Sequence, residues 1–322
     1  MKILIASSIF PEAIEKLREE HDVICAFGAA EEVLKSLIED CDVLIFRSGV
    51  QITTDVLKRA HKLKLILRAG SGIDNIDLEY VLQKGIRLIR IPGPGARAVA
   101  EMSFGLMLAL ARNLLVADHL TRQGRWAKHE LTGHALKGKV LGIVGAGNIG
   151  SLVGQLGIAW GMSVVGCVER PTPLIADRLR EKGIRLTGCD EVLAEADFVS
   201  LHVPLKASTR NLIDARALAL MKRGAFLINL ARGGVVDEAA LYQALMEGHL
   251  RGAALDVHAA EGEGKISPLA GLDNVILTPH IGAGTFDSQR EIGEIVIQSI
   301  DSFLIEETAP ELATQRELVT II

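Results

Sequence analysis

Aromatic residues are scarce in this sequence: two Trp, two Tyr and eight Phe among 322 residues. Its cores must therefore be packed from aliphatic side chains, and 49% of the chain is hydrophobic. Cysteine is scarce as well. Cys25, Cys41, Cys167 and Cys189 are scattered, with no C-x-x-C spacing. This pattern excludes a disulfide framework and a zinc site, and it fits reduced thiols in a cytoplasmic protein. No metal ligand set is expected. An excess of basic charge is also missing. With 35 Lys+Arg against 40 Asp+Glu the net charge is −5, and no basic stripe points to a nucleic-acid partner. Charge vanishes altogether over the 29 residues from Val140 to Val168. That length would cross a bilayer. Eight glycines and the polar residues Asn148, Ser151, Gln155 and Ser163 interrupt the run, so it is not one apolar helix. A strand, a glycine turn, a helix and a second strand fit it better, and no membrane partner is expected. Met1–Phe10 is apolar but is cut short by Pro11 and Glu12, so it reads as an opening strand and not as a signal peptide.

Short β-branched runs alternate with amphipathic stretches. Lys2–Ala6, Val23–Cys25, Val43–Phe46, Leu65–Ala69 and Arg87–Ile89 read as strands. Glu12–Glu20, Ala30–Asp40 and Thr54–Ala60 read as helices between them. Ile91–Arg97 (IPGPGAR) reads as a linker, followed by one long helix over about Ala98–Leu120 with apolar residues on most of its surface. A second series has strands at Val140–Val144, Ser163–Val168, Phe198–His202, Phe226–Asn229, Gly252–Asp256 and Val275–Leu277. A helix over about Phe286–Ile305 and a polar tail close the chain. Buried strands alternating with helices predict parallel sheets covered on both faces. The length suits two α/β domains, joined near residue 97 and again near 285.

Gly145-Ala146-Gly147-Asn148-Ile149-Gly150 has the spacing G-x-G-x-x-G between a predicted strand and a predicted helix. In such a turn the first glycine makes the bend, the second lets a pyrophosphate approach the backbone, and the third lets helix and strand pack closely. Free N–H groups at the helix start then face the phosphates. The next strand runs out at Val168-Glu169-Arg170, 19 residues beyond Gly150. Glu169 suits the ribose of NAD, whereas Arg170 suits the 2′-phosphate of NADP. NAD is the expected cofactor, with NADP as the alternative.

Three later segments carry ionisable groups just past strand ends, where open α/β sheets bind their ligands. They are Asn229–Gly234 with Arg232, Leu255–Val257 with Glu261 beyond, and Thr278–Gly282 with His280. An Arg there can hold a carboxylate bidentately. A His can exchange a proton with a hydroxyl or carbonyl, and a nearby Glu favours the protonated imidazole. Dehydrogenation of a hydroxy acid needs such an anchor, such a base and a dinucleotide. Each residue also has a plainer reading. Arg232 can cap a helix or pair with Asp237, His280 can be structural, and Glu261 can be a solvated loop residue. His202 and His258 also lie near strand ends and are weaker candidates than His280.

With these residues in place, the sequence resembles the D-isomer-specific 2-hydroxyacid dehydrogenases, in their phosphoglycerate dehydrogenase-like branch. The resemblance runs from about Leu44 to Arg290. It rests on RSGVQIT (Arg47–Thr53), RAGSGIDNID (Arg68–Asp77), ARAVAE (Ala96–Glu101) and LKGKVLGIVGAGNIG (Leu136–Gly150). It continues through HVPL (His202–Leu205), INLARGGVVDE (Ile228–Glu238), LDVHAAE (Leu255–Glu261) and NVILTPHIGAGT (Asn274–Thr285). The resemblance implies two Rossmann-like, doubly wound parallel-sheet domains. One is a flavodoxin-like catalytic domain, discontinuous over 1–97 and 285–322. The other is an NAD(P)-binding domain over 98–284. It implies Arg232 as substrate-binding arginine, Glu261 as catalytic glutamate and His280 as proton-transfer histidine. Gly145, Gly147, Asn148, Ile149 and Gly150 match the phosphate turn, and Asp256 the contact to the nicotinamide amide. Val203, Pro204, Ala231 and Gly282 line the cofactor in relatives, while Arg47, Ser71 and Gly72 match substrate-binding positions. A homodimer through the nucleotide domains is implied, with the helix at Ala98–Leu120 buried there. The expected form is a short one, without a C-terminal regulatory domain.

The sequence departs from the family pattern at several positions. Val168 stands where the usual ribose-binding Asp falls, Gly95 replaces a frequent Asn, and Ile91 a frequent Thr. Gly262 replaces the Pro after the catalytic Glu, and Gln51 replaces a Lys common in phosphoglycerate dehydrogenases. The expected activity is reversible hydride transfer between a nicotinamide dinucleotide and a D-2-hydroxy acid or its 2-keto acid. The alternatives are an NADPH-dependent glyoxylate/hydroxypyruvate reductase and a non-catalytic NAD(H)-sensing protein. A pure sensor, however, has no use for a proton-transfer His.

Overall fold

The computed structural model describes residues 1–308. It divides into two units, residues 1–95 together with the segment from 284 onward, and residues 96–283. Along the chain run β1 (Lys2–Ile5), α1 (Pro11–Glu20), β2 (Asp22–Cys25), α2 (Glu31–Leu37), β3 (Val43–Phe46), α3 (Thr54–Arg59), β4 (Leu65–Arg68), α4 (Leu78–Gln83) and β5 (Arg87–Arg90). Then come α5 (Gly93–Ala111), α6 (Leu114–Arg122), β6 (Val140–Val144), α7 (Asn148–Ala159), β7 (Ser163–Cys167), α8 (Pro173–Glu181), β8 (Arg185–Leu186), α9 (Cys189–Glu195) and β9 (Phe198–Leu201). The last are α10 (Ala215–Leu220), β10 (Phe226–Asn229), α11 (Glu238–Met246), β11 (Gly252–Leu255), β12 (Val275–Leu277) and α12 (Phe286–Thr308).

In the first unit the strands form a parallel sheet of order β2-β1-β3-β4-β5, the flavodoxin-like order. In the second the order is β12-β11-β10-β9-β6-β7-β8, also parallel. Its β6–β11 segment has the order of a dinucleotide-binding sheet, reversing direction between β6 and β9. The two doubly wound sheets match the fold class read from the sequence. The reason is visible strand by strand. VLIF of β3 and LILR of β4 are buried at every position, as strands covered on both faces must be. Helix starts are set by side chains: Thr53, Asp77, Thr172, Asp214 and Asp237 each accept a backbone N–H at an N-cap.

Three expectations along the chain need correction. The linker at Ile91–Arg97 is largely helix, because α5 begins at Gly93. Pro94 falls in its first turn, where a missing N–H breaks no helical bond. The single helix over Ala98–Leu120 is two helices, α5 and α6, bent by 60°. The break is at Asn113, whose φ of 53° is left-handed, a conformation that Asn tolerates better than most side chains. Among the described residues no single helix is long and apolar enough to cross a membrane, and α5 with α6 meets the length only as this bent pair. The polar tail expected after Ile305 is replaced by α12 as far as residue 308, and residues 309–322 lie outside the described residues.

Candidate active site

The glycine turn joins β6 to α7 at the carboxyl edge of the second sheet. Gly145 has φ 96°, and a Cβ there would sit 2.6 Å from the carbonyl oxygen of His202. The backbone N–H groups of Gly145 and Ala146 both donate to the Cys167 carbonyl, tying the turn to the end of β7. A Cβ at Gly150 would lie 2.3 Å from the Gly145 carbonyl oxygen, so only glycine lets α7 start this close to the turn. Gly147 is the opposite case, with open space where its Cβ would be. No side chain caps α7, so its first N–H groups face that space. A cavity of about 300 Å³ opens there. A close-packed backbone bend, an uncapped helix start and an open approach fit a dinucleotide pyrophosphate. Val203 packs at the turn, since its Cγ1 lies 2.8 Å from a Cβ built on Gly145.

His280 and Glu261 meet although 19 residues separate them. The His280 Nδ1 lies 2.9 Å from Glu261 Oε2. Three contacts aim the imidazole. His280 has a left-handed φ of 56°, uncommon for a side chain of its size. Its N–H donates to the Asp256 carbonyl at 2.8 Å. The next two N–H groups, of Ile281 and Gly282, donate to the Asp256 carboxylate at 2.9 and 2.7 Å. Thr278 Oγ1 donates to the same carboxylate at 2.6 Å, and Asp256 is only 1% exposed. A Cβ on Gly282 would press on that carboxylate at 2.9 Å. Burial alone would push the Glu261 carboxyl up. The hydrogen bonds from His280 and the His258 backbone N–H outweigh it and hold the carboxyl below its usual range.

Arg232 sits on the loop after β10. Asn229, 1% exposed, braces that loop: its Nδ2 donates to the Arg232 carbonyl and its Oδ1 accepts from the Ala231 N–H. Arg232 also donates from a guanidinium nitrogen to the Ala231 carbonyl at 2.7 Å. Gly233 follows, and a Cβ there would fall 1.8 Å from the His258 carbonyl oxygen. The loops carrying Arg232 and Glu261 are therefore pressed together at a point that admits only glycine. Buried Glu238 adds a second tie, accepting from the Ala259 N–H at 2.7 Å. Asp237, the partner considered for Arg232, caps α11. The two weaker histidine candidates have their Nε2 atoms engaged elsewhere. His258 Nε2 contacts the Thr278 carbonyl, and His202 Nε2 contacts Ser200 Oγ at 2.8 Å. Burial pushes the His202 imidazole down to about 3, so it stays neutral.

In the first unit, Arg47 and Ser71 follow β3 and β4 at the carboxyl edge of the sheet. Buried Asn75 links their loops. Its Nδ2 donates to the Arg47 and Val50 carbonyls, and its Oδ1 accepts from Arg68 Nε. Burial pushes the Arg47 guanidinium down from its ordinary value. Ser71 is exposed, and Gly72 is half-buried.

Glu169 lies just beyond β7. Its carboxylate is ion-paired with Lys206, with Ser208 Oγ within 3.5 Å, and the Lys206 ammonium holds it below the usual carboxylate range. Val168 lines the cavity at the glycine turn, together with Arg178 and Lys182 of the α8 region. Sequence reasoning missed Asn229, Gly233, Thr278, Arg178, Lys182 and Lys206. The G-G after Arg232 was the one available signal. The others depend on tertiary placement.

Taken together, the second unit has a parallel sheet in dinucleotide-binding order, an open glycine turn, and a Glu–His pair beside a braced Arg at the same edge. That defines a dinucleotide-binding class of α/β protein. Residues 104–282 match the family described as D-isomer specific 2-hydroxyacid dehydrogenase, NAD binding domain. The chain is 43% identical over 311 residues to D-3-phosphoglycerate dehydrogenase of Methanocaldococcus jannaschii, covering 96% of this chain and 58% of that protein. It is 39% identical over 285 residues to hydroxypyruvate reductase of Thermotoga maritima, covering 88% and 91%. The crystal structure of D-lactate dehydrogenase from Aquifex aeolicus complexed with NAD and lactic acid superposes with a TM-score of 0.84 at 32% identity, covering 94% of this chain and 95% of that one. The chain belongs to the D-isomer specific 2-hydroxyacid dehydrogenase family. It spans little more than half the length of the phosphoglycerate dehydrogenase it matches.

Proposed function

We propose that this chain catalyses reversible hydride transfer between a nicotinamide dinucleotide and a D-2-hydroxy acid or its 2-keto acid, in the manner of a phosphoglycerate dehydrogenase or hydroxypyruvate reductase. The Glu261–His280 contact at 2.9 Å is the observation that carries the reading. The dinucleotide supplies or accepts the hydride. Residues Gly145, Gly147, Asn148, Ile149 and Gly150 would hold its pyrophosphate. Val203, Pro204, Ala231, Asp256 and Gly282 would line the rest of its site.

His280 has Nδ1 engaged by Glu261, which leaves Nε2 to exchange a proton with the C2 oxygen. In reduction the protonated imidazole donates it, and in oxidation the neutral imidazole accepts it. Glu261 orients the ring through that contact. Arg232 would fix the carboxylate beside C2. The first unit would act as the substrate domain, with Arg47 and the backbone of Ser71 and Gly72 receiving the anion. Asp256 has its carboxylate filled by Thr278, Ile281 and Gly282, so its main task would be to hold the His280 segment. A homodimer in the cytoplasm completes the reading, supported by the family's habit and by the unbridged thiols.

The test is His280→Ala assayed with hydroxypyruvate and a reduced dinucleotide. General acid–base catalysis is worth about 10²–10⁴-fold. A loss of turnover in that range with dinucleotide binding retained is expected. Near wild-type turnover would remove His280 from the reaction.

A further inference from the structure

The cavity beside the glycine turn extends from Gly147 and Asn148 toward α8. Its wall includes Asn148, Ser151, Val168, Arg178 and Lys182. Where β7 runs out into this cavity the side chain is apolar Val168. An unphosphorylated ribose is normally recognised there by a carboxylate that accepts its 2′-hydroxyl. The neighbouring carboxylate, Glu169, is engaged by Lys206 and Ser208 instead. No acidic side chain is among the lining residues, whereas two cations are. They stand four positions apart, at helical i,i+4 spacing, and so share a face. Lys182 Nζ is 3.0 Å from Ser151 Oγ, which uses one of its three donors. The Arg178 guanidinium has no hydrogen bond or ion pair among the described residues. An apolar floor under two cations with spare donors disfavours a bare ribose and favours a phosphomonoester.

We propose that this cavity receives the 2′-phosphate of an adenine dinucleotide, with Arg178 and Lys182 as its partners. The inference rests on the dehydrogenase reading above and sharpens it toward NADP(H). Arg178 offers a planar fork for two phosphate oxygens, and Lys182 adds a point charge. Lys206 assists indirectly by pairing with Glu169, a negative charge next to Val168 that would repel the phosphate.

The experiment titrates the full-length, ligand-free protein with 2′,5′-ADP, 5′-AMP and inorganic phosphate by calorimetry, and with NADPH and NADH by nicotinamide fluorescence. Charge-assisted contacts of this kind predict at least about tenfold tighter binding of 2′,5′-ADP than of 5′-AMP, and of NADPH than of NADH. The preference should shrink with added salt. In Arg178→Ala/Lys182→Ala both ratios should fall to within about twofold, and Val168→Asp should move them toward NADH. Circular dichroism confirms that each variant is folded. Equal affinities in the wild type overturn the proposal. So does a preference that survives the double variant, or one abolished by Arg170→Ala alone. Inorganic phosphate competing as well as 2′,5′-ADP overturns it too, as a free-anion site. If neither dinucleotide binds, the dehydrogenase reading itself fails. If NADH binds with no 2′-phosphate preference, only this proposal fails.

Discussion

Glu261 and His280 form a pair in which each residue limits what the other can do. The imidazole is directional, so engaging Nδ1 fixes both the ring plane and the nitrogen left for substrate. Glu261 is held below the usual carboxylate range, so it remains an anion well into acid. In Glu261→Gln the side chain still reaches Nδ1, but the charge is gone. Turnover in keto-acid reduction should fall by about 10²-fold or more, with the KM for dinucleotide little changed. The same variant has a signature in stability. A carboxyl whose folded value is depressed contributes stability that is present above its unfolded value of about 4.3. That contribution is lost as pH falls through the folded value. The wild type should therefore melt above Glu261→Gln at neutral pH. The gap should close at acidic pH, read as the difference in Tm between the two across a pH series. A gap that is unchanged in acid would mean that the contact owes nothing to the carboxylate charge.

At the scale of elements, the segment between β12 and α12 is built around one buried carboxylate. Asp256 at the end of β11 accepts from the Thr278 hydroxyl and two consecutive N–H groups, and its own carbonyl accepts from His280. Asp256→Ala would leave those N–H groups without an acceptor, at about 1–3 kcal/mol for each one that stays buried. The expected result is a lower Tm together with a collapse of kcat, because His280 loses its left-handed setting. A variant with normal kcat and weakened dinucleotide binding would instead make Asp256 a cofactor contact, as the family resemblance implies. The strands were legible because parallel strands buried on both faces leave near-continuous apolar runs such as VLGIV and VLIF. The glycine turn was legible because its spacing follows from close backbone approaches. The bend at Asn113 was not, since apolar residues continue along both helices and only a left-handed residue marks the break. The Glu169–Lys206 pair was equally hidden. It spans 37 positions, and nothing local in either segment points to the other.

At the scale of the whole molecule, the first unit is assembled from two distant stretches of sequence. Its early strands cannot bury their outer face without α12. Ile292, Val296, Ile300 and Phe303 of that helix are at most 6% exposed and share a core with Ile3, Ile5, Ile14 and Leu17. The contact is tight enough that a Cβ on Gly293 would come within 2.9 Å of the Ala13 Cβ. Arg87 and Lys64 of the first stretch pair with Glu306 and Glu307 near the end of the helix. Arg87–Glu306 is half-buried, and an exposed pair such as Lys64–Glu307 contributes only about 0–1 kcal/mol, so the apolar seam governs the association. Ile300 is fully buried, and Ile300→Ala should destabilise by about 2–5 kcal/mol through lost burial and the cavity left behind. Replacing Lys64 by Ala should change stability by less than about 1 kcal/mol. Urea unfolding followed by circular dichroism separates the two, through a shift in midpoint at constant slope for the first and almost none for the second. If the lysine variant shifted the midpoint as much as the isoleucine variant, charge and not burial would be joining the two ends of the chain.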